Sequence, residues 1–306
     1  MSDLPKLIVI EGTNASGKSG LGVALAEKYG GEIVSADSRQ VFRGLDLGSG
    51  KIAPEETRGV PHHLIDVCDP GDFFSMHDFQ RLAYDAIDGI LARGKPPFLV
   101  GGTGLYVESV TKGYVMSASP PDLEYRAYLE TFDTPALYDM LVKAVPDIQI
   151  ERNNRNRVMR VLEKLHAGDD HVPRSAPRYE CLKLGVTWDR ETLKKRIDER
   201  LERRLDQGMI EEVQGLIDRG VSLEFLYKLG LEYRFIARYL TGEIPRREDM
   251  VEQLGNAIKK FAKRQMTWFR RDPEILWLDM SGDPFARACE AIDRFMSNQT
   301  KEATTC

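Results

Sequence analysis

The stretch "IEGTNASGKSGLGVALAEKYG", residues 10–30, decides the fold of the first part of the chain. It contains the pattern G-x-x-x-x-G-K-[ST], formed by Gly12, Gly17, Lys18 and Ser19. The backbone N–H groups of such a glycine-rich turn, together with the N-terminus of the following helix, bind an anion. The lysine adds a positive charge, and the serine hydroxyl is placed to ligate Mg²⁺. The stretch therefore predicts a phosphate-binding loop, and a chance match is the weaker interpretation because the flanking sequence also fits.

Apolar runs and helical patterns alternate on both sides of this loop. Short runs typical of buried parallel strands occur at "KLIVIE" (6–11), "EIVSAD" (32–37), "PPFLVGG" (96–102) and "CLKLGVTW" (181–188). Apolar residues at helical spacing follow the loop and recur at 78–94. Such alternation implies a parallel sheet with helices on both faces. We predict an α/β fold with a P-loop NTPase-like parallel sheet core.

The alternation stops after the linker-like segment "SASPPD" (117–122), where helical patterns take over. We therefore predict a helical insertion domain at residues 117–178, with residues 1–116 and 179–306 forming the core and its C-terminal helices. Farther along, apolar residues recur every four positions, a stripe that drifts ~40° per step around a straight helix. A helix break near Gly208 follows from that drift.

Composition limits the class of protein. The chain has 306 residues, 30% of them charged, and a net charge of −5. We find neither a signal peptide nor a membrane anchor, and four widely separated cysteines suit a reducing cytosol. Two windows carry only basic charge: "RNNRNRVMR" (152–160) and "KKFAKRQMTWFRR" (259–271). They indicate a local anionic partner, although two solvated helix faces are an equally good interpretation of the charge alone.

The residues leave more than one chemistry open. Most loops of this kind bind ATP or GTP, so a kinase or NTPase is the default interpretation. The third predicted strand, however, ends in "FLVGG" without the acid that such enzymes use for Mg²⁺. The second strand instead ends at Asp37, which is suited to be a Mg²⁺ partner, a general base or a helix cap.

Several ordered stretches resemble the bacterial tRNA dimethylallyltransferases. The matching stretches are "GTNASGKS" (12–19), "SADSRQVFRGLDLGSGK" (35–51), "HHLIDVCDP" (62–70), "FSMHDF" (74–79), "LVGGTGLY" (99–106), "RVMRVLE" (157–163), "RIDERLERRLDQGMIEEVQGLIDRG" (196–220) and "FAKRQMTWFR" (261–270). The resemblance covers nearly the whole chain and is weakest at about 117–150.

This resemblance implies a reaction. A dimethylallyl group passes from dimethylallyl diphosphate to N6 of the adenine beside the anticodon, position 37, of tRNAs that read codons beginning with U. Diphosphate leaves, and Mg²⁺ is the expected cofactor. The loop would then hold the leaving group, and the adenine must flip out of its stack to react. We expect a cytoplasmic monomer whose partners are tRNA and the prenyl donor, with no membrane contact.

The resemblance also implies roles for individual residues. Asp37, Thr103 and Lys18 match catalytic positions, and Ser19 matches the metal ligand. Donor-binding positions are Gly12, Thr13, Asn14, Ala15, Ser16, Gly17, Lys18, Ser19 and Arg234. Positions that contact tRNA are Asp37, Ser38, Arg39, Gln40, Thr103, Asn156, Arg157, Arg160, Lys263, Arg264 and Gln265. The alternatives are a turn hydroxyl for Thr103 and a solvated helix face for the arginines.

The chain departs from the family pattern at two places. Thr13 and Asn14 stand where the family has Pro and Thr, so either residue is a candidate to replace the lost hydroxyl. Glu232 stands where a Gly is usual, and it is a candidate partner of Arg234. These departures keep two alternatives open: an adenylate prenyltransferase or small-molecule kinase on the same scaffold, and a non-catalytic RNA-binding relative.

Overall fold

The computed structural model describes residues 4–116, 122–169 and 174–297. These residues divide into two compact units, one within Met1–Lys112 and Pro177–Cys306 and one within Gly113–Ala176. The predicted linker at 117–122 lies outside the described residues except for Asp122, and so does Cys306. No helix of the described ranges is both long and apolar enough to cross a bilayer.

The described residues form eight strands, twelve α-helices and a short 3-10 helix at Pro54–Thr57. The strands are β1 (Lys6–Gly12), β2 (Glu32–Ser35), β3 (His62–His63), β4 (Pro97–Gly101), β5 (Tyr114–Val115), β6 (Arg174–Ser175), β7 (Glu180–Thr187) and β8 (Leu276–Asp279). The helices are α1 (Lys18–Tyr29), α2 (Met76–Ala92), α3 (Gly104–Thr111), α4 (Leu123–Glu130), α5 (Thr134–Ala144), α6 (Arg155–His166), α7 (Arg190–Asp206), α8 (Met209–Asp218), α9 (Leu223–Leu229), α10 (Leu231–Leu240), α11 (Arg247–Phe269) and α12 (Pro284–Ser297).

The first unit is built on a six-stranded sheet with the order β3-β2-β4-β1-β7-β8, in which every pair of neighbours is parallel. The central strand β1 is buried along its whole length, as its continuous apolar run predicts for a strand covered on both faces. The α/β class and the four predicted strands are confirmed. The short edge strands β3 and β8 were not predicted.

Helices cover both faces of the sheet. One apolar cluster joins the strands to α1 and α12, and a second joins them to α2 and α3. A third cluster holds α7 to α11 together. The break predicted near Gly208 is confirmed: α7 ends at Asp206, and Gly208 precedes α8 with a φ of 98°, a conformation that favours glycine.

The second unit has its own small core. Helices α4, α5 and α6 pack around fully buried Leu129, Leu137 and Leu141, and β5 and β6 pair antiparallel. Asp133 caps α5 through the Ala136 N–H, and proline occupies the first turn, where its missing N–H is not needed.

Candidate functional site

The loop between β1 and α1 is shaped to bind an anion. Ala15 and Gly17 both have positive φ, 59° and 91°, which turns successive N–H groups toward one concave side. Helix α1 begins after Gly17 without a side-chain cap and without an acid in its first turn, so its positive end is left for a ligand. A Cβ at Gly12 would lie 2.6 Å from the Val186 side chain; glycine therefore allows β1 to enter the loop beside β7.

Residues distant in sequence fix the back of this loop. The side chain of Gln265 accepts a bond from the Asn14 N–H at 3.0 Å and donates to the Gly102 carbonyl at 2.8 Å. The indole of Trp188 donates to the Ser16 carbonyl at 2.9 Å, and Arg196 donates to the Ala15 carbonyl at 3.0 Å. Side chains from distant parts of the chain thus fix the conformation of the loop backbone.

The departure at Thr13 and Asn14 has a structural answer. Thr13 is buried, and its hydroxyl donates to the Asn14 carbonyl at 3.3 Å, within the loop. Asn14 lines the cavity in front of the loop. Asn14 is therefore the residue of the two that lines the cavity.

Lys18 lies between the loop and the end of β2. Its ammonium donates to the Thr13 carbonyl at 3.2 Å. Enclosure by the protein lowers the pKa of Lys18 to about 8, while the charge of Asp37 acts in the opposite direction and Arg200 lowers it further. At pH 7 the ammonium remains mostly protonated, and an anionic ligand would stabilise this charged form.

The ends of β2 and β4 meet beside Lys18. Asp37 follows β2, and its Oδ1 accepts the Arg39 N–H at 2.9 Å. Thr103 follows β4, and its hydroxyl accepts the Ser38 N–H at 3.1 Å. A Cβ at Gly101 would lie 2.2 Å from the Ala36 carbonyl oxygen, so glycine permits the two turns to touch.

The phosphate loop, Lys18 and Asp37 line one cavity of about 290 Å³. Its predicted members are Asn14, Ala15, Ser16, Gly17, Lys18, Ser19, Asp37 and Gln40, and its further lining includes Ser49, Gly50, Glu56, Arg196, Glu199, Arg200 and Arg203. The prediction missed the three arginines of α7. Their spacing of four and three residues places them on one helical face, a signal that the sequence already contained.

The structure places Arg234, a predicted donor-binding residue, away from the cavity at the phosphate loop. This side chain lies in a different surface groove with Glu224 and Arg238, and its Nε donates to the Tyr227 carbonyl at 2.7 Å. It does not line the cavity at the phosphate loop, where α7 supplies the guanidinium groups instead. Glu232 does not pair with Arg234 in this structure: the bonded partner of its carboxylate is Arg204, at 3.1 Å.

The predicted tRNA-contact residues near the cavity differ in exposure. Lys263 and Arg264 are exposed on α11, whereas Gln265 is 8% exposed and bonded inside the protein. The guanidinium of Arg39 donates to the Leu229 carbonyl at 3.1 and 2.7 Å. Gln40 donates to the Gly50 carbonyl and accepts from Ser35. The side chains of Gln265 and Arg39 therefore form their hydrogen bonds with the protein backbone in this structure.

The remaining residues predicted to contact tRNA lie in the second unit. Asn156 and Arg157 are exposed in the first turn of α6. Arg160 is partly buried and bonds Glu163 at 3.0 Å. Two exposed polar residues at the start of a helix that carries more basic than acidic side chains are available to an anionic partner.

Hard oxygen donors suit the predicted magnesium. Ser19 in α1 is exposed at the cavity, and the carboxylates of Asp37 and Glu56 line the same space; oxygen ligands are those that Mg²⁺ prefers. No cluster of three or more histidine, cysteine or acidic residues suited to a metal ion occurs in the described part of the chain.

A parallel sheet whose first strand runs into a phosphate-type loop defines a P-loop-like fold. The chain belongs to the IPP transferase family, whose model matches residues 40–272. The tRNA dimethylallyltransferase 1 of Geotalea daltonii is 46% identical over 303 residues, which cover 96% of this chain and 97% of that protein.

Solved structures show the same fold. The full-length tRNA isopentenylpyrophosphate transferase of Bacillus halodurans is 37% identical with a TM-score of 0.72, and the match covers 97% of both chains. A eukaryotic dimethylallyltransferase, described as acting on tRNA, is 27% identical with a TM-score of 0.82 over 96% of this chain and 80% of its own. The predicted family and fold are confirmed.

Proposed function

We propose that this chain transfers a dimethylallyl group from dimethylallyl diphosphate to N6 of an adenine in tRNA and releases diphosphate. The observation that carries the proposal is the shared cavity: an anion-binding loop and the strand-end carboxylate of Asp37 face one space. Membership in the IPP transferase family and relatives named for this activity support it. We infer from the resemblance that the adenine is position 37 of tRNAs reading codons that begin with U.

The loop would serve the leaving group. When the allylic C–O bond breaks, positive charge spreads over the allyl carbons and negative charge gathers on the diphosphate. The loop N–H groups, Lys18 and the guanidinium of Arg200 are placed to stabilise that negative charge. Bound Mg²⁺, held by the Ser19 hydroxyl and the diphosphate oxygens, would neutralise further charge on the leaving group.

Asp37 would serve the acceptor. An exocyclic amine is a weak nucleophile, and a carboxylate within reach of N6 assists by taking its proton. One oxygen of Asp37 accepts the Arg39 N–H, which leaves the other for the substrate. The Thr103 hydroxyl accepts the Ser38 N–H, so we assign Thr103 to holding the turn that follows Asp37.

Transfer to a base inside a stem-loop requires that the base be extruded. The exposed Lys263, Arg264, Asn156 and Arg157 are the candidates for contacts with the RNA backbone. Such contacts supply affinity and orientation rather than sequence selection. We propose that the enzyme acts as a monomer in the cytoplasm, where tRNA is its substrate.

The decisive experiment incubates the protein with unmodified tRNA, Mg²⁺ and dimethylallyl diphosphate, followed by mass spectrometry of the nucleosides. We expect prenylated adenosine. Asp37→Ala should lower turnover by ~10²–10⁴-fold with little effect on tRNA binding, and Asp85→Ala, an exposed acid on α2, is the matched control. AMP in place of tRNA tests whether the chain is an adenylate prenyltransferase. ATP in place of the donor tests whether it is a small-molecule kinase. An ATPase stimulated by tRNA, without prenylated product, would contradict the assignment.

A further inference from the structure

Glu232 is a buried carboxylate outside the cavity. It is 3% exposed in α10. Its Oε1 accepts from Arg204 at 3.1 Å, and its Oε2 lies 3.9 Å from the guanidinium of Arg39. Oε2 has no hydrogen-bond partner among the described residues. A buried carboxylate of this kind needs opposite charges to compensate it, and Arg204 and Arg39 are the two that lie beside it.

Arg39 is anchored on three sides. Its Nε and Nη2 donate to the Leu229 carbonyl, its Nη1 faces Glu232, and its guanidinium carbon lies 5.8 Å from the ring centre of Phe261. These contacts come from α9, α10 and α11, respectively. The Arg39 side chain thus makes its contacts with the helices α9, α10 and α11, although the family resemblance predicts a contact with RNA.

The backbone of Arg39 connects this anchor to the candidate base. The Arg39 N–H donates to Asp37 Oδ1 at 2.9 Å. Arg39 therefore contacts the Asp37 carboxylate through its main chain and the helices α9 and α10 through its side chain. The Arg39 backbone thus lies between the helical contacts of its side chain and the carboxylate of Asp37.

The acceptor of Arg39 sits at an unusual joint between α9 and α10. Gly230 has φ 75° and ψ −172°, and Leu231 has a φ of 40°. A positive φ is an outlier for a bulky residue, and it persists only where the surrounding structure enforces it. Arg39 bonds the residue before this joint, and Glu232 follows it.

We propose that Glu232 and Arg39 are positioning residues that fix Asp37 for proton abstraction. The charge of Glu232 and the Leu229 carbonyl hold the Arg39 guanidinium, and the Arg39 amide then holds Asp37 in one orientation. This assignment rests on the proposed function, because it gives a role within that reaction. It also gives Glu232 a purpose at a position where the family pattern has a residue without a side chain.

The test compares Arg39→Ala, Arg39→Lys and the isosteric Glu232→Gln with wild type in the prenyl-transfer assay. Misplacing a catalytic group by about 1 Å costs on the order of 100-fold. We therefore expect Arg39→Ala to lower kcat by ~10–100-fold, with Arg39→Lys and Glu232→Gln intermediate. The Kd for tRNA and the KM for the donor should stay within about twofold, since neither residue touches a substrate in this assignment.

Two further measurements separate positioning from general destabilisation. All variants are assayed below their melting transitions, and Glu232→Gln in the Arg39→Ala background should lower kcat no further, because it acts through Arg39. Arg43→Ala, an exposed arginine on the same segment that pairs with Asp69, is the control and should match wild type.

The possible failures differ from one another. An Arg39→Ala enzyme with normal kcat and a raised Kd for tRNA would make Arg39 an RNA contact and overturn the positioning role. Additive losses in the double variant would overturn the coupling of Glu232 to Arg39. A wild-type chain that forms no prenylated adenosine would overturn the proposed function itself, whereas an active wild type with unaffected variants would overturn the positioning alone.

Discussion

Glu11, the residue that precedes the phosphate loop, offers a stringent test of the structure. It is 3% exposed, and its Oε1 has no hydrogen-bond partner among the described residues. Burial raises the pKa of Glu11 to about 8, with Lys183 acting in the opposite direction and Asp272 adding to the increase. We predict that Glu11→Gln stabilises the protein above neutral pH.

The size of the effect follows from the pKa. A change from 4.5 to about 8 is a shift of about 3.5 units, worth ~5 kcal/mol at about 1.4 kcal/mol per unit. Because the folded-state pKa is the higher one, the contribution of Glu11 to stability is fully present below about pH 4.5. It is lost as the pH rises to about 8. The amide of the glutamine variant is also a buried polar group without a partner, which costs about 1–3 kcal/mol of stability. After this cost is subtracted, the net gain of the variant at pH 8 is ~2–4 kcal/mol.

Denaturant titrations at pH 5, 6, 7 and 8, followed by tryptophan fluorescence, measure this effect. The three tryptophans, Trp188, Trp268 and Trp277, all lie in the first unit, which also contains Glu11. Relative to wild type, Glu11→Gln should be ~0–2 kcal/mol less stable at pH 5, and the difference should shift in favour of the variant by ~3–4 kcal/mol between pH 5 and pH 8. The exposed Glu27 provides the control substitution Glu27→Gln. A difference that does not change with pH would refute the burial argument.

Three further outcomes follow from the site. Gln265→Leu leaves an amide and a carbonyl of the loop region unpaired, and the same titration should show a loss of ~2–4 kcal/mol; a loss below ~0.5 kcal/mol would contradict the bridge. Arg200→Ala should weaken diphosphate binding by ~10–100-fold in calorimetry, whereas Arg234→Ala should leave it unchanged; the reverse order would restore the sequence-based assignment. Arg157→Ala and Lys263→Ala should each reduce the slope of log affinity for tRNA against log salt by ~0.7–0.9, and unchanged slopes would remove these residues from the RNA interface.

The sequence predicted the parts of the fold that depend on local pattern. The strands at 6–11, 32–37, 96–102 and 181–188 are continuous apolar runs, and the sheet buries them on both faces. Gly208 interrupts a helical stripe that geometry does not allow to continue. The strand Leu276–Asp279 lies at the sheet edge and is only partly buried, so its composition carries a weaker signal.

The candidate site was predictable only where its residues follow one another in the chain. The loop pattern identified Lys18 and Ser19, and the end of the second strand identified Asp37. Gln265 was assigned to RNA because the family resemblance implies a tRNA contact at that position, yet it is 251 residues from the amide it bonds. Pairings over such distances depend on how helices pack, which no local pattern encodes.

We propose, from the charges that line the cavity, that it binds a divalent cation together with the donor. Lys18, Arg196, Arg200 and Arg203 oppose Asp37, Glu56 and Glu199, so four positive groups face three negative ones and the formal surplus is a single charge. A diphosphate carries several negative charges, and its release concentrates them on the leaving oxygens. The side chains alone leave most of that charge unbalanced. Glu56 and Glu199, the two carboxylates not assigned to the acceptor, carry oxygens of the kind Mg²⁺ binds. The lining is therefore suited to a metal–diphosphate complex rather than to the bare anion, and the hydroxyl of Ser19 stands at the start of α1, where such a complex would meet the loop.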